Sequence, residues 1–249
     1  MAKKEKEREL DEYLGHLYVH VNEVEHFALF SGLTVQQFIR SFSDLPALLL
    51  LNHQYEDASF NIHTQFEFIV QDQYLRFVKD YAERPIALCL MDFTDEKKLN
   101  MLSPQEQAEL LYIAHKKEAF RSPFYHHLLN RFVYLTDEDN ETTKIYFREM
   151  ADLHILIAGV FNQYISDRSK SSAFWRKKNN VVLSQLSVEK IEEHEDFYED
   201  GVLMSLYKTD KTNYGLEIRS LPEDIFPDEV LDDLKQHLEK PADSLIVVN

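Results

Sequence analysis

Five glycines in a chain of 249 residues limit what its loops can do. They stand at Gly15, Gly32, Gly159, Gly201 and Gly215, and no two are closer than 14 positions. A loop that wraps a phosphate needs several glycines together, because only they reach positive φ freely and let backbone approach a ligand closely. Dinucleotide fingerprints, P-loops, kinase glycine loops and nucleophile elbows are therefore absent as motifs. Cys89 is the single cysteine, which leaves no cysteine-ligated zinc site, iron–sulfur cluster or internal disulfide.

The chain nonetheless has material for a core. Hydrophobic residues make up 44% and charged residues 29%, with 17 Phe and 13 Tyr supplying large buried areas. The expected class is α+β: two packed lobes of mixed or antiparallel strands with several amphipathic helices. Formal charge is −17, which repels phosphate backbones and anionic lipid surfaces at long range. Neither a nucleic-acid nor a membrane partner is expected. The first ten residues are charged rather than apolar, and no apolar run reaches the length of a membrane span. A cytoplasmic protein is the expectation, and a lone cysteine fits a reducing compartment.

Charge divides the chain. Arg168, Lys170, Arg176, Lys177 and Lys178 give 168–178 a charge of +5, while 1–167 holds 16 basic against 27 acidic residues and 179–249 holds 6 against 17. Each flank is −11. This basic, serine-containing strip reads as a connector between an N-terminal α+β domain (1–167) and a small C-terminal α+β domain (179–249).

Periodicity predicts the elements. Leu10, Leu14, Leu17, Val21, Val24 and Ala28 recur at three- and four-residue steps, the pattern of an amphipathic helix ending near Gly32. A short helix follows over 34–42, and alternation from Phe60 to Phe68 predicts a half-buried strand. The segment 86–93 reads as a buried strand. Ser103-Pro104-Gln105-Glu106 is a capping box with proline at the first helical position, so a helix starts at Pro104 and runs to about Glu118. Hairpins are predicted across 132–147 and 202–218, helices at 150–165, 188–198 and 228–238, and a last strand at 245–248.

Candidate chemistry is sparse. On the first predicted helix His16, His20 and Glu23 fall at about 0°, 40° and 340° around the axis. Two imidazoles and a carboxylate on one stripe are a potential facial set for zinc or iron. His115 shares a stripe with Ala108, Leu111 and Tyr112 and reads as a core histidine. His126-His127 point apart and chelate poorly. Asp92 and Asp95 end the buried strand, where the expected roles are a strand exit and a turn. Asp137–Glu141 lacks the glycine and glutamate of a calcium loop and reads as a solvated hairpin tip. Phe174-Trp175-Arg176-Lys177-Lys178 combines the sole Trp with cations, and helix-plus-hairpin order after it outlines a winged helix. No triad, no paired-glutamate spacing and no cofactor-binding motif is present. The expectation is a protein-interaction or regulatory protein without catalysis of its own, with an unidentified protein partner. The alternative is a metal-dependent enzyme at His16/His20/Glu23, and the third reading a nucleic-acid-associated regulator using the C-terminal block. The apolar helix 150–165 needs cover on several faces, from the fold itself or from a second copy in a homodimer.

Overall fold

The computed structural model describes residues 10–173 and 184–248, apart from residues 53, 84–85, 140, 211–212 and 223–224. Its frame is one 11-stranded sheet in the order β11-β10-β9-β1-β2-β8-β7-β6-β3-β5-β4. The strands are β1 (Tyr13–Asn22), β2 (Phe27–Ser31), β3 (Ala47–Leu50), β4 (Ser59–Phe60), β5 (Glu67–Ile69), β6 (Cys89–Phe93), β7 (Phe132–Thr136), β8 (Thr142–Phe147), β9 (Val202–Lys208), β10 (Tyr214–Ser220) and β11 (Ser244–Val248). Every ladder is antiparallel. The helices are α1 (Val35–Ser41), α2 (Tyr74–Glu83), α3 (Glu96–Leu99), α4 (Pro104–Lys116), α5 (Met150–Ala173), α6 (Val188–Glu192) and α7 (Leu234–Leu238). The fold is α+β.

Alternation along the strands assigns residues to two faces. Leu17, Val19 and Val21 of β1, Phe132 and Tyr134 of β7, and Met204 and Leu206 of β9 point to the same core as Phe38 of α1, Phe77 of α2 and Phe161 of α5. On the opposite face Met91 and Phe93 of β6 and Val133 and Leu135 of β7 pack under Leu110 and Ile113 of α4. Farther along that face, Tyr18 and Leu203 are covered by Leu221, Val230 and α7. Within α5, Leu153, Leu156, Ile157, Val160 and Phe161 are fully buried in the chain's own core. No helix among the described residues is long and apolar enough to cross a membrane.

Local signals place most elements where the sequence does. Ser103 accepts from the Glu106 amide at 3.2 Å while the Ser103 amide donates to the Glu106 carboxylate at 2.7 Å, which satisfies two end groups of α4 reciprocally. That backbone hydrogen bond also holds the Glu106 carboxyl below its ordinary pKa. Thr34 and Gln37 form a second capping box on α1. Gly201 has φ +80°, and a Cβ there would lie 2.8 Å from the Tyr18 hydroxyl, so both backbone and space require glycine.

Four expectations are corrected. The helix over 10–30 is instead β1, a turn and β2. Leu17, Val19 and Val21 alternate inward, whereas Leu10 and Val24 of the supposed helical stripe are exposed. β-branched and aromatic residues in Tyr13–Asn22 favour the strand, and pairing with β9 and β2 on both sides secures it. The strand over 60–68 is two short strands, β4 and β5, parted by a turn in which Gln65 has φ +60°. The helices at 188–198 and 228–238 shorten to α6 with a 3₁₀ turn and to α7. Conversely, α5 runs through Ala173, so the first part of the basic strip is helical; Phe174–Lys178 lies outside the described residues. The segment after the strip supplies β9, which pairs with β1 over most of its length.

Candidate functional site

With 13–22 a strand, the helical stripe that united His16, His20 and Glu23 does not exist. A rise of about 3.3 Å per residue puts His16 and His20 about 13 Å apart along β1, and Glu23 lies in the exposed turn after it. No group of three His, Cys, Asp or Glu side chains among the described residues is placed to hold a metal ion.

His16 instead joins a polar row across three strands. It pairs in register with Ser205, which pairs with Glu217. His16 Nδ1 lies 2.9 Å from Ser205 Oγ. Glu217 accepts from the Tyr13 hydroxyl and from Arg219 Nη2, each at 2.7 Å, and Arg219 Nε donates to the Lys240 carbonyl at 2.9 Å. Burial, and secondarily the Arg219 charge, lowers the His16 pKa to about 4. A neutral imidazole beside a serine hydroxyl resembles a nucleophile and its base. Ser205 is fully buried, however, so no substrate carbonyl reaches it. The row binds β1, β9 and β10 side to side. Its signal in the sequence was Glu217 and Arg219, opposite charges two apart in an otherwise apolar strand, and hence on one face.

Asp92 is likewise closed off. It is fully buried, and its Oδ1 accepts from the amides of Arg131 (2.8 Å) and Phe132 (2.7 Å). Burial outweighs these bonds and raises its pKa to about 6. Arg131 ties the same corner to Asp152 and, at 3.0 Å, to Asp44. Asp95 caps α3 by accepting from the Lys97 amide at 2.9 Å. His126 and His127 have ring centroids 5.8 Å apart and form no metal cluster. Cys89 is buried, and desolvation raises its thiol pKa far above the reactive range.

The surface with an unsatisfied demand is α4. Its inward face is Leu110, Ile113 and Ala114. Ala108, Leu111, Tyr112 and His115 form the opposite stripe and face outward, so the expectation of His115 as a core residue is overturned. Leu111 is 50% exposed and Tyr112 39%. Phe120, 66% exposed, sets its ring edge-on to Tyr112 at 5.8 Å and extends the patch past the helix end. The sequence permits either stripe to turn inward, because both are apolar at helical spacing. Sheet packing selects the one with Leu110 and Ile113.

Beside this stripe runs an open groove of about 670 Å³. Leu111, Ala114 and His115 of α4 line it together with Leu51, Asn52, Ala87 and Asp137–Asp139. The acidic part of the lining is the tip of the β7–β8 hairpin, as the sequence predicts. Lys117, in left-handed conformation at the end of α4, forms an ion pair with Asp137 that ties helix to hairpin. Glu138 and Asp139 have no ion pair among the described residues. The groove thus has an apolar side and a negative side. Comparison with protein-family models, with curated proteins and with solved structures returns no match.

Proposed function

We propose that this protein works through protein contacts, without catalysis of its own, and that the outer stripe of α4 with its groove is the docking surface. The observation that carries the reading is the second apolar face of α4: Leu111, Tyr112 and Phe120 present contiguous aliphatic and aromatic surface to solvent. Such surface, rimmed by charge, is the usual composition of a recognition site. The groove specifies the partner's chemistry. An apolar side chain fills the space between Leu111 and Leu51, and a lysine or arginine faces Glu138 and Asp139. A negatively charged chain and an acidic groove wall also argue against nucleic acid as the ligand.

Affinity purification from the cells that make the protein tests this, comparing wild type with Leu111→Asp and with Glu138→Lys/Asp139→Lys. All three positions are exposed or close to solvent, so the variants are expected to fold. The expected result is at least one protein retained by wild type and lost from both variants. Identical sets of retained proteins across the three would overturn the assignment of this surface.

A further inference from the structure

A second concavity, on the other face of the sheet, has the opposite electrostatic character. Helices α1 and α2 enclose a pocket of about 330 Å³, within the size range of small-ligand sites. Ile39, Tyr74, Val78 and Ala82 make it apolar. At its mouth stand Arg40 and Lys79, both exposed. Neither has a carboxylate partner among the described residues, although the chain carries 44 acidic side chains against 27 basic ones. With its amide oxygen turned toward Arg40, Gln36 accepts from Arg40 Nη2 and Nη1 at 2.7 and 3.0 Å, which steadies that side chain at the rim. Leu75 lines the same mouth and is 73% exposed. Tyr74 is nine-tenths buried, and its hydroxyl has no hydrogen-bond partner among the described residues.

We infer that this pocket binds a small amphiphilic carboxylate, an anionic head on a medium-length aliphatic tail. The tail lies against Ile39, Val78 and Ala82 and takes the exposed side chain of Leu75 out of water. The carboxylate lies between Arg40 and Lys79, two cations at the mouth without a carboxylate partner among the described residues. An apolar ligand without charge leaves those cations unused, and an inorganic anion leaves the apolar wall wet. Only a ligand with both parts satisfies both walls. This pocket and the α4 groove share no lining residue, so either assignment stands or falls without the other.

Calorimetric titration with sodium octanoate, with 1-octanol and with sodium acetate separates the contributions. Octanoate is expected to saturate at one per chain and to bind at least about tenfold more tightly than the other two. Arg40→Gln/Lys79→Gln should weaken octanoate at least about tenfold and leave octanol unchanged. Ala82→Trp, at an exposed position on the pocket wall, should block octanoate while both cations remain. Equal binding of octanol, equal binding of acetate, no saturable binding of octanoate, or wild-type affinity in the variants would each overturn the inference.

Discussion

At the scale of single residues, one buried and one part-buried ionisable group give this protein opposing responses to pH. Asp92 has its pKa raised from 3.8 to about 6 by burial. Its ionised form is therefore costlier in the folded state than in the unfolded one, and stability is lost as pH rises from about 4 through 6. The full difference is about 3 kcal/mol at neutral pH. Asp92→Asn keeps an oxygen for the Arg131 and Phe132 amides and removes the charge. Relative to wild type, its urea midpoint is expected to gain most at pH 7 and least at pH 4; a pH-independent difference would show that Asp92 does not titrate in this range. His16 works the other way. Its pKa falls from 6.5 to about 4, so its contribution is present above pH 6.5 and is lost as pH drops toward 4. Allowing for its partial exposure, that amounts to about 2 kcal/mol. His16→Gln, which retains a group able to meet Ser205, is expected to be relatively more stable than wild type at pH 5 than at pH 7. The same measurement series checks both, and a shared slope for the two variants would contradict the opposite burial costs.

Among the elements, α4 is where local and tertiary information part. Its start was legible because Ser103, Pro104 and Glu106 act on neighbouring backbone alone. Its orientation was not, since Leu110, Ile113 and Ala114 and the stripe of Leu111, Tyr112 and His115 are comparably apolar. The structure makes the difference measurable. Leu110 is fully buried against Met91 and Val133, whereas Leu111 is half exposed. Leu110→Ala is expected to cost about 2–5 kcal/mol in chemical denaturation, and Leu111→Ala no more than about 0.5 kcal/mol. The reverse ranking would mean that α4 is turned about its axis. β1 parts in the same way. Its apolar spacing fits three- and four-residue steps on paper, but pairing with β9 and β2, as between Tyr13 and Tyr207, determines the strand. Consequently His16 and His20 are separated, and Tyr13, Ser205, Glu217 and Arg219 become the neighbours of His16.

For the molecule as a whole, the continuous sheet sets how the parts depend on one another. β1 pairs with β9 on one edge and β2 on the other, so the N-terminal strand joins segments from both sides of the basic strip. Removing β9–β11 would open the edge of β1 and uncover Leu17 and Val19. A single cooperative transition is expected in scanning calorimetry, with fluorescence and far-ultraviolet dichroism giving the same midpoint. Two resolved transitions would instead divide the chain into independent units at the strip.

Near neighbours and composition are enough to specify the α+β class, the capped start of α4, the β7–β8 and β9–β10 hairpins, the buried strand at β6, and the absence of any glycine-built phosphate loop. Caps, turns and alternation act over a few residues, so their chemistry is complete within the segment. Packing and pairing across the chain select which apolar stripe of α4 meets the core, pair residues 13–22 as a strand, and bring Glu217 and Arg219 into a polar row with His16. Each of those outcomes depends on surface buried between segments far apart in the chain. That interaction has no local counterpart, and here it outweighs helical periodicity wherever the two disagree.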